Sequence, residues 1–242
     1  MLARGFYRFF VAIFFVLCFV QGQANVIMAT RVIYPSDQKS VSLELTNSGK
    51  RPSLVQVWID NGNPDASPEK ITAPFVVTPP VARVDNGKGQ TLRITYTGEP
   101  LPTDRESIFY VNVLDIPPKP KAGEASPNYL QIAIRSRIKL FFRPTTLSIS
   151  PSEAYQQVKW SLENSKGKTY LVADNPTPYY ITYGTLYALQ NGKKIQAPNA
   201  DMVAPFSQAR FLLNSPIKSA KEIIWTTIND YGGRTKGTTE LH

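Results

Sequence analysis

The chain has 242 residues, with 27 Lys+Arg against 18 Asp+Glu and a formal charge of +9. That length suits one large domain or two ordinary ones, and it can bury cores without covalent staples. One cysteine, Cys18, and one histidine, His242 at the very end, exclude a Cys/His zinc site and an oriented Ser–His or Cys–His catalytic pair.

Arg4 and Arg8 precede an unbroken apolar run from Phe9 to Val20, and Gln21-Gly22-Gln23-Ala24 puts small residues where a signal peptidase reads. As a helix the run rises only about 18 Å, short of a ~30 Å hydrocarbon core. Residues 1–24 are therefore expected to be a cleaved export signal, with an uncleaved anchor as the alternative. Cys18 falls inside it, so the remainder has no cysteine. The Lys and Arg that follow are scattered, which reads as solvated surface charge and not as a nucleic-acid footprint.

Beyond the signal, period-2 alternation dominates. Val41, Leu43 and Leu45 alternate with Ser42, Glu44 and Thr46; Val55, Val57 and Ile59 with Gln56, Trp58 and Asp60; Leu92, Ile94 and Tyr96 with Arg93 and Thr95. Asn61-Gly62, Asn86-Gly87 and Asn191-Gly192 are turn dipeptides. Strands are predicted over 26–33, 40–47, 53–60, 72–78, 90–96, 107–115 and 128–142. Roughly seven short strands at this spacing suggest an immunoglobulin-like sandwich, with closure into a barrel as the alternative. A second series follows over 156–163, 168–174, 179–189, 193–197, 207–213, 221–229 and 235–240. Arg143-Pro144-Thr145-Thr146 is the boundary, because Pro144 cannot donate to a ladder. The domains expected are thus 25–143 and 144–242. A link this short predicts two all-β sandwiches at a fixed angle with a cleft between them.

The segment 117–127 is polar and proline-rich, and it precedes the longest predicted strand. In 128–142 one face carries Leu130, Ile132, Ile134, Ser136, Ile138, Leu140 and Phe142, and the other carries Gln131, Ala133, Arg135, Arg137, Lys139 and Phe141. Such a strand would span roughly 50 Å, well beyond ordinary lengths. It is either a central strand with one face in the core or a template on which another chain adds a strand.

Ordered motifs then accumulate: Thr78-Pro79-Pro80-Val81-Ala82-Arg83, Arg105-Glu106-Ser107-Ile108-Phe109-Tyr110, Ile116-Pro117-Pro118, Leu130-Gln131-Ile132-Ala133-Ile134, Arg137-Ile138-Lys139-Leu140-Phe141-Phe142-Arg143-Pro144, Asn175-Pro176-Thr177-Pro178-Tyr179-Tyr180 and Ile228-Asn229-Asp230-Tyr231-Gly232-Gly233. From about Ala29 to Arg234 the chain resembles the periplasmic pilus-assembly chaperones of the chaperone–usher pathway, in their short-loop subfamily. The resemblance implies a two-domain, boomerang-shaped periplasmic chaperone that binds pilin subunits by donor-strand complementation and delivers them to an outer-membrane usher. It implies a carboxylate anchor at Arg31 and Lys139, donor residues Leu130, Ile132 and Ile134, and an interdomain salt bridge of Glu106, Arg143 and Asp230. No cofactor, metal or nucleic-acid partner is expected. Many relatives carry a disulfide in the second domain, which this chain lacks. The free protein could also hide its apolar strand by self-association.

Two other functions compete. An exported pilus subunit or adhesin would need an N-terminal donor extension and usually paired cysteines. An enzyme would need Asp104 and Glu106, or Asp201 and Glu222, in one pocket, and nothing in the sequence puts them there. Gly87-Lys88-Gly89 is a turn, since the other glycines and the helix of a phosphate loop are missing.

Overall fold

The computed structural model describes residues 25–27, 29–65, 67–70, 72–119 and 130–241. The expected export signal, residues 120–127 of the proline-rich connection and the first two residues of the predicted long strand lie outside them.

The first half contains β1 (Asn25–Ile27), β2 (Arg31–Pro35), β3 (Val41–Asn47), β4 (Ser53–Asp60), β5 (Phe75–Thr78), β6 (Val81–Val84), β7 (Gly89–Tyr96), β8 (Ser107–Ile116) and β9 (Ile134–Arg143). They form two sheets, ordered β1-β3-β7-β5 and β2-β9-β8-β4-β6. The alternation seen in the sequence faces the space between them: Leu43 and Leu45, Val55, Val57 and Ile59, and Leu92 and Ile94 are all buried in one core. Fully buried Tyr34 packs its ring against Phe75, Tyr96 and Phe142, and its hydroxyl accepts a hydrogen bond from the Tyr96 N–H at 3.1 Å.

The strand expected over 26–33 is two strands in different sheets. β1 pairs antiparallel with β3, whereas β2 pairs in parallel with β9. A chain that changes sheets at a corner closes the sandwich, and the two short pieces read as one run because both are apolar. The strand expected over 72–78 begins only at Phe75, and β6 follows it after Pro79-Pro80.

The second half contains α1 (Pro151–Gln157), β10 (Lys159–Ser165), β11 (Lys168–Asn175), β12 (Ile181–Gln190), β13 (Lys193–Gln196), β14 (Met202–Val203), β15 (Ser207–Leu212), β16 (Glu222–Ile228) and β17 (Arg234–Glu240). The sheets run β10-β11-β15 and β13-β12-β16-β17, with β14 also on β12. They enclose a separate core around Trp160, Leu171, Leu186 and Trp225. Asn191 and Gly192 have φ of 49° and 77° and form the two-residue turn between β12 and β13, as the dipeptide predicts.

The strand expected over 156–163 starts instead in a helix. The Ser150 hydroxyl accepts from the Glu153 N–H at 3.3 Å, the Glu153 carboxylate accepts from the Ser150 N–H at 2.7 Å, and Pro151 opens the first turn. This capping box satisfies the helix's first free N–H groups locally. Each half is thus an immunoglobulin-like sandwich with its own core.

Candidate functional site

The parallel pairing of β2 with β9 sets Arg31 directly beside Lys139. Both side chains reach toward the second domain. The Arg31 Nη1 donates to the Ile228 carbonyl on β16 at 2.8 Å, and its guanidinium lies 5.7 Å from the Phe141 ring centroid. The Arg31 Nε is buried without a hydrogen-bond partner. Lys139 Nζ donates to the Thr182 hydroxyl on β12 at 3.3 Å and lies 4.0 Å from an Asp201 carboxylate oxygen. Burial pushes the pKa of both cations down, and the like charge of Arg31 depresses Lys139 further against the pull of Asp201. The Asp201 side chain is 83% exposed, so water screens most of what it offers. Two partly desolvated cations, one with an unused N–H, can take a carboxylate through charge-assisted hydrogen bonds.

A second cluster ties the domains together. The Arg143 Nε donates to Glu106 at 2.7 Å, and its two terminal nitrogens grip Asp230 at 2.6 and 2.8 Å. The other Glu106 oxygen accepts from the Tyr180 N–H at 2.8 Å, and the Glu106 N–H donates to the Pro178 carbonyl at 2.9 Å. Both carboxylate oxygens thus face N–H donors, which favour the ionised form. Burial pushes the Glu106 pKa up, and Arg143 and the Tyr180 N–H oppose that rise. Glu106 immediately precedes β8, Arg143 ends β9 and Asp230 lies in the turn after β16, so the cluster spans the link at Pro144.

The predicted long strand is shorter than expected. β9 begins at Ile134, so Leu130 and Ile132 precede it and only Ile134 lies on it. The reason is the neighbour. Ile134 pairs with Asp115, and one residue beyond Ile116 come Pro117 and Pro118, which have no N–H to extend the ladder. On its other side β9 pairs with β2 only from Lys139 onward. Residues 134–138 therefore have β8 on one side and, among the described residues, no strand on the other. Leu130, Ile132 and Ile134 are 84%, 62% and 46% exposed, while Leu140 and Phe142 of the same face are buried in the core.

Several contributors had no signature in the sequence. The Ile228 carbonyl and Thr182 enter the cleft from strands far along the chain. Asp60 and Asn112 form a buried polar pair with Arg137, and its only sequence signal is a charge on the polar face two residues before Lys139. The carboxylate pairs of an enzyme do not form: Asp104 binds Arg105 at the surface while Glu106 binds Arg143. Asp201 sits beside Lys139, whereas Glu222 lies at the far end of β16.

Comparison with known proteins points to one family. Residues 24–148 match the family described as pili and flagellar-assembly chaperone, PapD N-terminal domain, and residues 153–239 match the pili assembly chaperone PapD, C-terminal domain. The chain is 50% identical over 226 residues to the chaperone protein HifB of Haemophilus influenzae, covering 91% of this chain and 90% of that one. It is 45% identical over 239 residues to the probable fimbrial chaperone YadV of Escherichia coli, covering 95% and 96%. Among solved structures, the SafB chaperone of Salmonella enterica in complex with the SafA pilin superposes with a TM-score of 0.75 at 30% identity, over 90% of this chain and 97% of that one. The fold and these matches define a two-domain pilus-assembly chaperone. The chain belongs to the PapD family of pilus-assembly chaperones.

Proposed function

We propose that this protein captures pilus subunits in the periplasm through strand pairing at β9 and delivers them to an outer-membrane usher. The observation that carries the reading is the continuity of three features: an exposed apolar row at Leu130, Ile132 and Ile134, an open strand edge over 134–138, and two cations where that edge enters the cleft. A subunit strand added along this edge would gain ladder hydrogen bonds. Its groove would receive the three aliphatic side chains, each worth up to roughly 1.5–3 kcal/mol when fully buried. Its terminal carboxylate would bind Arg31 and Lys139. That contact fixes register, since a one-residue slip turns every donor side chain to the wrong face. The SafA–SafB complex shows that a chaperone of this fold holds a pilin, which supports the same partner class here. Delivery to an usher and a periplasmic location follow from the family's pathway.

Ile132→Asp and Ile134→Asp test the reading. Both side chains are exposed, so the variants are expected to fold as wild type and to lose capture of a pilin subunit, because a charge cannot enter an apolar groove. Full capture by either folded variant would contradict it.

A further inference from the structure

The outward face of the β2-β9-β8-β4-β6 sheet holds a polar cluster beside the anchor. Arg137 on β9 reaches across β8 to Asp60 at the end of β4: Nε donates to Oδ2 at 2.9 Å and Nη2 to Oδ1 at 2.6 Å. Asn112, the register partner of Arg137, lies between them and donates its Nδ2 to Asp60 at 2.7 Å. The Gly62 N–H donates to Asp60 as well, also at 2.7 Å. Asp60 is 1% exposed and Asn112 is wholly buried. The Arg137 guanidinium lies 3.6 Å from the centroid of the Tyr110 ring, and Tyr110 is the register partner of Lys139. An exposed ion pair contributes little, but a buried carboxylate surrounded by N–H donors fixes geometry.

The ties continue upstream at Arg135 and Gln131. Arg135 Nη1 donates to the Pro64 carbonyl at 2.7 Å, and Gln131 Nε2 donates to the Pro117 carbonyl at 2.6 Å. Residues 131, 135 and 137 are each bound to the body of the first domain. The alternate residues Leu130, Ile132 and Ile134 carry exposed apolar side chains. Residues 130–133 have no ladder of their own, and the Gln131 bond ties this segment to Pro117 just beyond the end of β8.

Resting on the capture reading above, we infer that Asp60 and Arg137, extended by Arg135 and Gln131, are positioning residues that hold the donor segment extended and in register before a subunit arrives. None of the four touches the carboxylate anchor. Their effect is pre-organisation: the segment is ordered by the fold itself and not at the moment of capture, which raises affinity without adding a contact to the subunit.

The test uses the free protein and a peptide copying a pilin's C-terminal strand. In hydrogen exchange, Asp60→Asn and Arg137→Gln should each speed exchange of the 131–138 amides about tenfold and weaken peptide binding by a similar factor. The double variant should be no worse than either single one, because the pair acts as a unit. The preference for a free carboxylate over an amide should persist in these variants, since Arg31 and Lys139 are intact. If Asp60→Asn fails to fold, Arg135→Gln breaks an exposed tie and should speed exchange over 132–136. Unchanged exchange in folded variants overturns the inference, and so does faster exchange with unchanged affinity. Loss of the acid preference by the wild type would instead overturn the capture reading, while the exchange data would still judge the ties.

Discussion

Arg31, Lys139 and Arg143 are three cations on two neighbouring strands, and their surroundings divide their work. Arg143 is saturated by Glu106 and Asp230, and although burial opposes its charge, those hydrogen bonds raise its pKa. Arg31 and Lys139 have no comparable partner, and burial lowers both. The saturated cation holds structure, and the unsaturated pair is open to an incoming anion. Asp60 resembles Glu106 in burial but not in outcome. Burial opposes its ionisation, and donors from Arg137, Asn112 and Gly62 outweigh that, so its pKa lies below the usual range. An acid whose pKa is depressed on folding adds stability above its unfolded pKa of about 3.9, and loses it as pH falls through the folded value. Asp60→Asn should therefore cost about 1–3 kcal/mol at pH 7, and the gap to wild type should close as pH drops below about 4. Denaturant melts of both proteins at pH 7 and pH 3 check this; an equal gap at both would show that the charge of Asp60 is not what stabilises the cluster.

At the scale of elements, the sequence was most legible where side chains alternate over a half-buried strand. Val55, Val57 and Ile59 on β4 and Leu92 and Ile94 on β7 point inward as their spacing predicts. It was less legible where tertiary pairing sets the boundary. The length of β9 is decided by Pro117 and Pro118 just beyond its neighbour β8 and not by its own alternation, which runs on unchanged through Leu130. The split of 26–33 into β1 and β2 depends on which sheet each piece joins, a choice absent from local pattern. Helix α1 was legible in principle: Ser150, Pro151 and Glu153 spell a capping box, but the strand rhythm around them masked it. In the cleft, the motif positions Arg31 and Lys139 do lie side by side, and Glu106, Arg143 and Asp230 do meet. Asp60 and Asn112 were out of reach, because three strands of one sheet must assemble before an acid at the end of β4 meets Arg137.

For the whole molecule, the proposed capture requires that the two sandwiches be held so that Arg31 and Lys139 stay partly dry. Phe141 packs on Tyr180 across the domain boundary, and the Arg143 cluster sits beside it. Arg143→Ala leaves Glu106 buried beside Asp230 without their shared cation, a loss typically worth about 3–5 kcal/mol. It should loosen the angle between domains more than either core, seen as a broader small-angle scattering profile and weaker subunit capture. An unchanged profile with unchanged capture would mean that the angle is set elsewhere. The central claim is that the cleft reads a chain-terminal carboxylate at the end of a paired strand, and it is tested most directly by measuring the affinity of one pilin C-terminal strand peptide as free acid and as amide. The acid should bind at least about 30-fold more tightly, as expected for removing one partner of a buried charge pair. Arg31→Ala and Lys139→Ala should each collapse that difference. Equal binding of acid and amide by the wild-type protein would contradict the anchor.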